Sequence, residues 1–327
     1  MKNVAIVGCG SISQLHGEAL DSYGKAKVTA CADIKFENAK DFAEKFGGTP
    51  YQSFEDMINK EEIDVLHICT PHYLHVPMAI KALEKGINVI VEKPVATNRD
   101  ELKLLTDVVK KSDKAFGTCF QNRYLPANKM AKELISSGKA GKVLGIRGIV
   151  TWKRMGAYYT ESGWRGTKEK ECGGVTINQS IHTLDLMFWL VGKPLSIEGK
   201  TSNHSLKNVI EVEDTAEIFI DFGNEVHGLF YASNAYCTDA PIHVEIVCEN
   251  MIIQLNGDDL SIDGKIVALE KPLVQSGKVC WGVGHQMFIA DFYNKLESGE
   301  KFPVGIEEAS ASVNVLFELY EQNKENT

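Results

Sequence analysis

The chain has 327 residues, with 35 Lys and Arg side chains against 44 Asp and Glu, so its formal net charge is −9. Because domains of ~150 residues are typical, this length predicts two domains. A composition of 44% hydrophobic and 24% charged residues is typical of globular proteins. No apolar run approaches the ~18 residues of a membrane span, and MKNVAIVGCG does not resemble a signal peptide. Collagen-like, disordered, membrane and disulfide-scaffold classes are excluded. The acidic charge argues against nucleic acid or a membrane as partner.

The eight cysteines are spread along the chain without a CxxC pair or any other spacing typical of metal ligands. We therefore predict no metal site. Several of these cysteines lie in or just after apolar strand-like runs, where a free cysteine behaves as a small buried hydrophobe. Without an export signal, this pattern predicts reduced thiols and a cytoplasmic protein.

Short apolar runs alternate with helical patterns over roughly the first 120 residues. The runs are Val4–Val7, Val28–Ala32, Val65–Cys69, Val89–Val91 and Ala115–Cys119. Ser53 with Asp56, and Asn98 with Glu101, have the spacing of capping boxes at helix starts. Alternation of this kind predicts a doubly wound parallel sheet covered by helices on both faces.

From about Gly141 the pattern changes to strands separated by tight turns. The strand-like segments are Val143–Trp152, Thr215–Phe222, Val226–Ser233, Ile242–Cys248 and Met251–Leu255. A predicted helix, Val175–Val191, interrupts them, and helices over Gly284–Leu296 and Ile306–Asn323 close the chain. We predict an α+β substrate and oligomerisation domain over residues 121–327, with a large, mostly antiparallel open sheet.

The first predicted strand runs into the segment Gly8–Ser13, a GxGxxG-like turn with serine in the third place. Gly8 permits the tight turn, and Gly10 lets the backbone approach a pyrophosphate at the start of a helix. Asp33 ends the second strand, where it can accept from ribose hydroxyls, although a helix N-cap is an alternative. A carboxylate repels a 2′-phosphate, so NAD is favoured over NADP; Lys35 would soften that preference. Residues 1–120 are thus predicted to form a dinucleotide-binding Rossmann domain.

Two further segments follow strands at the edge where ligands of parallel sheets gather. Thr70-Pro71 comes after the third of the apolar runs, and Glu92-Lys93-Pro94 after the next. Lys93 is therefore expected on the same rim as the Gly-rich turn. The alternative is a solvated loop charge.

Three stretches closely resemble, in order and spacing, the Gfo/Idh/MocA oxidoreductases, which include glucose–fructose oxidoreductase and inositol dehydrogenase. They are VGCGSIS, CTPHYLHVPMAIKALEKGINVIVEKPVA and GWRGTKEKECGGVTINQSIHTLDLMFWL. The resemblance implies a Rossmann domain and a mixed α/β domain whose open sheet usually forms an oligomer interface, hence a homodimer or homotetramer. It also implies NAD(P)-dependent oxidation or reduction of a sugar, cyclitol or related polyol.

The resemblance implies roles for individual residues. Family cofactor-binding positions are matched by Gly8, Gly10, Ser11, Ile12, Asp33, Thr70, Pro71, His75, Glu92, Lys93, Gln121, Trp164 and Arg165. Arg123 stands at the domain junction, where the family faces cofactor and substrate, and His182 matches the catalytic histidine. Asn178 departs from the pattern, because inositol dehydrogenase has Asp there.

If Val175–Val191 is a helix, Asn178, His182 and Asp185 lie in one stripe along its surface. Such a polar stripe is by itself as typical of a solvent-exposed helix face as of a catalytic site. Oxidation of an alcohol requires loss of the hydroxyl proton. We hypothesise that His182 takes this proton while Lys93 donates to the same oxygen. Neutral Asn178 cannot raise the basicity of His182, so it is expected to orient His182 or to bind a second hydroxyl. Asp185 is also predicted to bind substrate.

The segment Thr151–Cys172 interleaves aromatic and basic side chains. Its aromatic faces suit the CH faces of a pyranose or cyclitol, and Trp152 and Tyr158 are predicted to bind substrate. Its basic groups suit a carboxylate or phosphate, so an acidic or nucleotide-linked sugar is an open alternative. A covering loop with a solvated basic edge is another.

Other functions remain as alternatives. A dihydrodiol- or biliverdin-reductase-like enzyme would use the same cofactor chemistry. A non-catalytic NAD-sensing regulator of the same fold is disfavoured, because both Lys93 and His182 are retained. A nucleotide-sugar epimerase is disfavoured too, since Tyr158–Tyr159 lacks the YxxxK arrangement.

Overall fold

The computed structural model describes residues 1–270 and 283–324. The chain divides into two compact units: Met1–Gln121 with Leu273–Ser310, and Asn122–Pro272 with Ala311–Thr327. Within the described ranges, no helix has both the length and the apolar character needed to cross a bilayer.

The first unit contains a six-stranded parallel sheet in the order β3-β2-β1-β4-β5-β6. Its strands are β1 (Lys2–Val7), β2 (Ala26–Ala32), β3 (Thr49–Tyr51), β4 (Val65–Ile68), β5 (Asn88–Glu92) and β6 (Phe116–Cys119). Its helices up to Gln121 are α1 (Ser11–Tyr23), α2 (Phe36–Phe46), α3 (Phe54–Lys60), α4 (His75–Glu84) and α5 (Arg99–Lys111). The predicted doubly wound parallel sheet is confirmed. The short edge strand β3, which contains Pro50, has no apolar run and was not predicted.

Both predicted capping boxes place a side-chain acceptor at a helix start. Ser53 accepts from the backbone N–H of Asp56 at 3.2 Å, and Asn98 from that of Glu101 at 2.9 Å. Each contact satisfies one of the N–H groups that a helix leaves without a partner in its first turn. Local sequence therefore determines where α3 and α5 begin.

The second unit contains an eight-stranded sheet in the order β14-β13-β12-β11-β7-β10-β9-β8, antiparallel except between β7 and β10. Its strands are β7 (Val143–Thr151), β8 (Ser196–Ser202), β9 (Thr215–Gly223), β10 (Val226–Ser233), β11 (His243–Cys248), β12 (Ile252–Asn256), β13 (Asp259–Ile262) and β14 (Lys265–Ile266). Its helices are α6 (Pro126–Ser136), α7 (Gly156–Thr160) and α8 (Ile181–Val191). The predicted open, mostly antiparallel sheet is confirmed.

Helix α8 covers one face of this sheet. It lies so close to β7 that a Cβ on Gly148 would stand 2.6 Å from the sulfur of Met187 and 3.1 Å from Thr183. Alternation along the strands then sends every second side chain to the other face. On that face Phe219, Leu229 and Tyr231 are exposed.

The backbone before α8 departs from the predicted helix. Residues Val175–Gln179 form a π turn, and α8 begins only at Ile181. The N–H and the hydroxyl of Ser180 both donate to the carbonyl of Val175, at 2.9 and 2.8 Å, which closes a turn one residue wider than that of an α-helix. The prediction of one continuous helix over Val175–Val191 is therefore wrong at its first turn.

The last two helices are α9 (Gly284–Ser298) and α10 (Ile306–Gln322). The segment that includes α9 groups with the first unit, whereas the sequence prediction assigned all of 121–327 to the second domain. Two contacts with β6 explain this placement. A Cβ on Gly117 would lie 2.9 Å from Phe302 and 3.1 Å from Phe292, and Thr118 N–H donates to the Val304 carbonyl at 2.9 Å.

A buried ion pair fixes α8 inside the second unit. Arg123 donates from Nε and Nη2 to the two carboxylate oxygens of Asp185, at 2.7 and 2.6 Å, and Ser312 donates to the same carboxylate at 3.2 Å. Burial raises the pKa of Asp185, and Arg123 opposes that rise. A buried ion pair of this geometry leaves an uncompensated charge if one partner is removed.

Asp185→Asn should therefore lower the free energy of unfolding by about 3–5 kcal/mol, because Arg123 would remain charged and buried. Urea denaturation measures the loss. The matched control is Glu245→Gln, which breaks a half-exposed pair with Arg147 in the same unit and should cost at most about 1 kcal/mol. Equal losses in the two variants would contradict the structural role assigned to Asp185.

Candidate active site

One edge of the parallel sheet gathers the predicted cofactor residues of the first unit. Strands β2, β1, β4, β5 and β6 are neighbours and all run in the same direction. The residues just beyond their carboxyl ends are Asp33, Gly8, Thr70, Lys93 and Gln121. Strand order reverses beside β1, and such a point forms the crevice in which open α/β sheets bind ligands.

The two glycines of the Gly-rich turn differ: the surrounding structure leaves no room for a side chain at Gly8 but leaves space at Gly10. Gly8 has φ +86°, and a Cβ there would lie 2.6 Å from the Cys69 carbonyl oxygen, so the close approach of β1 and β4 admits only glycine. Gly10 is the N-cap of α1, has no side-chain cap, and has nothing within 4 Å of a Cβ position. The space beside Gly10, at the start of α1, is therefore open, as the approach of a pyrophosphate to Ser11 and Ile12 requires.

Asp33 is held against this turn. One carboxylate oxygen accepts from Cys9 N–H at 2.9 Å and the other from Lys35 N–H at 2.8 Å. The N-cap of α2 is Lys35, so the alternative that Asp33 caps this helix is wrong. An anchored carboxylate beside the Gly-rich turn suits ribose hydroxyls and disfavours a 2′-phosphate.

His75 connects the loops that follow β4 and β5. Its Nδ1 lies 2.8 Å from the Pro94 carbonyl oxygen and its Nε2 lies 2.9 Å from that of Thr70. The ring is buried, and burial lowers the pKa of His75 although both carbonyl contacts oppose the shift. Both ring nitrogens therefore face backbone. His75 holds Thr70-Pro71 beside the loop of Lys93.

Glu92, just before Lys93, lies in a buried chain of polar side chains. Its Oε1 is 3.0 Å from His16 Nε2 and 3.3 Å from His285 Nε2. His16 Nδ1 is 2.8 Å from His67 Nδ1, and His67 Nε2 is 2.9 Å from the Tyr293 hydroxyl. With Glu92 ionised, one set of tautomers satisfies the chain: Tyr293 donates to His67, His67 to His16, and His16 to Glu92.

The electrostatics of this chain favour a charged Glu92. Burial alone raises the pKa of Glu92, but hydrogen bonds from His16 and His285 outweigh it and hold that pKa well below its ordinary value. Burial lowers the pKa of His16 and of His67, which favours the neutral form of each ring. Lys93 is the half-buried residue in the otherwise buried run Val89–Thr97. The chain therefore anchors the backbone from which Lys93 projects.

Donor atoms of His16, Glu92, Cys119 and His285, all buried, lie within 4.8 Å of one another. These residue types can hold a metal ion, and the sequence contained no spacing signal because they come from four separate segments. The hydrogen bond from His16 to Glu92 accounts for two of these four groups without an ion. The absence of a metal site stays a prediction.

In the second unit, two polar residues interrupt a buried stretch. Between Gly173 and Phe188, every residue is buried except Asn178, in the π turn, and His182, in the first turn of α8. Asn178 Nδ2 donates to Glu171 in a short contact. Asp185, the third member of the predicted stripe, instead faces the interior and Arg123. These contacts support a structural role for Arg123 and Asp185; substrate binding by them stays a prediction.

The segment Thr151–Cys172 forms a stack of alternating rings and guanidinium groups, the aromatic–arginine stack. Arg154 lies 4.6 Å from the ring centroid of Trp152 and 5.8 Å from that of Tyr158. Arg165 lies 4.6 Å from Tyr158 and 4.9 Å from Trp164. Cation–π contacts hold the two guanidinium groups in place. The Nε of Arg165 is buried without a hydrogen-bond partner among the residues that the structure describes.

Gln179 anchors this stack to the π turn. Its Nε2 donates to the Tyr158 hydroxyl at 3.0 Å, and its Oε1 accepts from Asn234 at 2.9 Å. Asn234 also donates to the Tyr159 hydroxyl at 2.8 Å. Sequence reasoning missed Gln179, Asn234 and Glu171. Gln179 could have been found from its place beside Asn178, but the other two carry no local signal.

Gln121, the last residue of the first segment of its unit, is buried. Its Oε1 has no hydrogen-bond partner within residues 1–270 and 283–324. Burying an acceptor in this way is costly unless something else donates to it. This fits the cofactor-binding role that the family resemblance implies for Gln121.

The fold and the Gly-rich rim define a two-domain protein with an NAD-binding Rossmann domain. Residues 2–120 match the sequence model described as oxidoreductase family, NAD-binding Rossmann fold, and residues 128–254 match that of the GFO/IDH/MocA C-terminal domain. The chain therefore belongs to the Gfo/Idh/MocA family, and its cofactor is NAD.

The relatives of known activity include dehydrogenases. Glucose-6-phosphate 3-dehydrogenase of Bacillus subtilis is 26% identical over 70% of this chain, and the match spans 64% of that protein. scyllo-Inositol 2-dehydrogenase (NAD(+)) of the same organism is 29% identical over 74% of this chain and 70% of its own length.

Solved structures share the whole fold. The WlbA dehydrogenase from Bordetella pertussis, in complex with NADH and UDP-GlcNAcA, superposes with a TM-score of 0.87 at 25% identity, covering 99% of this chain and 97% of its own. Levoglucosan dehydrogenase, in complex with NADH and levoglucosan, superposes with a TM-score of 0.89 at 22% identity, covering 100% and 98%.

Replacing single glycines separates folding from cofactor binding. Gly10→Ala should leave the free energy of unfolding nearly unchanged but raise the Kd for NADH about 10-fold, because its Cβ would occupy the space that the pyrophosphate needs. Gly8→Ala should lower the free energy of unfolding by about 1–3 kcal/mol through backbone strain and contact with Cys69. Fluorescence titration with NADH and urea denaturation measure the two effects.

The control for strain is Gly24→Ala, since Gly24 has φ +73° but open space around a Cβ. It should cost stability and leave the Kd for NADH unchanged. Unchanged NADH binding by Gly10→Ala would contradict the pyrophosphate assignment.

Proposed function

We propose that this protein is an NAD-dependent dehydrogenase or reductase that transfers hydride between nicotinamide and a hydroxyl-bearing carbon of a sugar, cyclitol or related polyol. One observation carries the proposal: Lys93 and His182 are each half-buried in a run of otherwise buried residues. Lys93 lies at the ligand-binding rim of the Rossmann sheet, and His182 lies in the first turn of α8. Partly exposed polar groups set in rigid, buried backbone are typical of catalytic side chains.

The chemistry of alcohol oxidation assigns a different role to each of these side chains. NAD, when bound, accepts the hydride. The hydroxyl proton must leave as well, and the imidazole of His182 is the base that takes it. The ammonium of Lys93 donates to the oxygen as negative charge develops there, and its backbone is held by Glu92. Asn178 is neutral and binds or orients, but does not relay a proton.

Within this class we favour an acidic or nucleotide-linked sugar. The aromatic–arginine stack offers flat rings for the CH faces of a sugar and two oriented guanidinium groups, Arg154 and Arg165, for a carboxylate or phosphate. The WlbA dehydrogenase binds UDP-GlcNAcA, and glucose-6-phosphate 3-dehydrogenase is named for a phosphorylated sugar. A neutral cyclitol is the second candidate, in view of the scyllo-inositol 2-dehydrogenase match.

Lys93→Ala and His182→Ala should each lower kcat at least ~10²-fold on the sugar that the wild type oxidises, because each removes proton transfer or alkoxide stabilisation. The assay follows NADH absorbance with a panel of neutral, phosphorylated, uronic and nucleotide-linked sugars. Lys85→Ala and His204→Ala, both at exposed positions, are the controls and should keep wild-type turnover.

Retained turnover in His182→Ala would refute its role as the base. Tight NADH binding by the wild type without turnover of any sugar in the panel would instead favour the NAD-sensing regulator. Exclusive use of neutral polyols would remove the anion-binding role of the aromatic–arginine stack.

We further propose that the protein is a homodimer or homotetramer formed through the open face of the second sheet. The outward side chains of β7 to β10 surround an open groove of about 630 Å³. Phe219, Leu229 and Tyr231 are exposed there beside charged residues such as Arg147 and Glu217, and exposed large apolar side chains grouped in this way are typical of an interaction surface. The family resemblance supports a second copy of this chain as the occupant.

Leu229→Lys should weaken self-association at least about 30-fold, which corresponds to about 2 kcal/mol, because it would bury a charge at the centre of the face. Light scattering coupled to size-exclusion chromatography over a concentration series measures this. The control is Leu104→Lys on α5, since Leu104 is 55% exposed against 57% for Leu229. A wild type that is monomeric at all concentrations would refute the proposal.

We also propose a cytoplasmic location. The seven cysteines within the described residues are all free thiols, which suits a reducing compartment. Cys280, the eighth, lies outside the described residues.

A further inference from the structure

A buried carboxylate connects the aromatic–arginine stack to the turn that precedes His182. Glu171 is fully buried. One of its oxygens accepts from the backbone N–H of Gly166, and the other accepts from the side-chain amide of Asn178, both in short contacts. Gly166 follows Arg165 directly, and Asn178 lies in the π turn. A single side chain therefore contacts both segments.

This contact determines how the Asn178 amide is oriented. A carboxylate can only accept, so Asn178 must turn its NH₂ group towards Glu171 and its carbonyl oxygen away from it. Asn178 is half-buried and lies in the turn that precedes His182. With Glu171 ionised, Asn178 thus offers an acceptor.

Protonation would reverse this arrangement. A protonated carboxyl group keeps acceptor lone pairs but also carries one O–H donor. If that O–H lies towards Asn178, it faces a second donor, and this contact must break. If the Asn178 amide rotates by half a turn, its carbonyl oxygen accepts from Glu171 and its NH₂ group faces the other way. The half-exposed end of Asn178 then changes from acceptor to donor.

The surroundings place this change near neutral pH. Burial raises the pKa of Glu171 to about 7, against the hydrogen bonds from Gly166 and Asn178. The buried carboxyl group of Glu213 raises it further, and Arg165 lowers it. Glu213 is itself hydrogen-bonded to Thr176 and Tyr320. Tyr159 and Tyr320, whose pKa values burial raises, are further ionisable groups near Glu171.

We propose that Glu171 is a positioning residue that supplies, from the neighbouring loop, the carboxylate that position 178 lacks in this chain. In its ionised form it orients Asn178 to accept from a substrate hydroxyl and holds the backbone next to Arg165. In its protonated form it releases one of these contacts. This inference rests on the proposed function for its effect on turnover, but the conformational change itself does not.

The change can be observed without substrate. In ¹H–¹⁵N spectra of the full chain, the side-chain amide of Asn178 and the backbone amide of Gly166 should shift together with a midpoint near pH 7. Asn178→Asp identifies the side-chain signal by its loss. In Glu171→Gln both signals should stay constant across the same range. The control Glu169→Gln removes an exposed charge from the same loop and should titrate like the wild type.

Kinetics test the positioning role. Glu171→Gln should raise KM for the sugar about 10-fold or more with a smaller change in kcat, because the base His182 is untouched. The double variant Glu171→Gln/Asn178→Asp moves the carboxylate from position 171 to position 178. The hydrogen bond between the two side chains can then form again, so KM should return most of the way to the wild-type value. A merely structural role would give additive losses in the double variant.

Three outcomes are decisive. Signals of Asn178 and Gly166 that do not titrate in the wild type, or that titrate equally in Glu171→Gln, overturn the proposal. Wild-type KM in Glu171→Gln also overturns it. Titration without turnover on any sugar supports the Glu171 switch and counts against the proposed function alone.

Discussion

A buried carboxylate must be hydrogen-bonded, and each unit of this protein uses that requirement to position a candidate catalytic side chain. In the first unit Glu92 is held by His16 and His285, and Lys93 follows it. In the second, Glu171 is held by Gly166 and Asn178, in the turn before His182. Breaking either set would leave a buried acceptor without donors, which is costly. The backbone that carries the reactive group is therefore fixed.

The two carboxylates differ because their donors differ. The ring N–H of His16 donates to Glu92 and the ring of His285 lies beside it, so the charge on Glu92 is stabilised and its pKa lies well below the ordinary value. Neutral amides around Glu171 stabilise charge less, and a second buried carboxyl, Glu213, opposes it. The same burial thus produces one permanently charged anchor and one group that titrates near pH 7.

Patterns local in sequence were predictable, and contacts between distant segments were not. Apolar runs, the Gly-rich turn and capping boxes identified the parallel sheet and the rim that carries Asp33 and Lys93. The π turn was not predictable, because the apolar spacing of Val175–Val191 is the same for one continuous helix. Glu171 appeared only as a charge in a polar loop. The pairing of Arg123 with Asp185, 62 positions apart, had no local signal either.

A net charge of −9 and a preference for anionic ligands are compatible, because binding depends on local donors. At the Gly-rich turn, the groups that would bind a pyrophosphate are backbone N–H groups of α1, which carry no side-chain charge. In the aromatic–arginine stack, aromatic rings contact both Arg154 and Arg165. Within the described residues, neither forms a buried ion pair through two carboxylate oxygens, as Arg123 does with Asp185. Arg154 does pair with Asp239, but that carboxylate is largely exposed, and water screens the interaction. A sugar phosphate or uronate would therefore meet positive groups that are already ordered, although the surface as a whole is acidic.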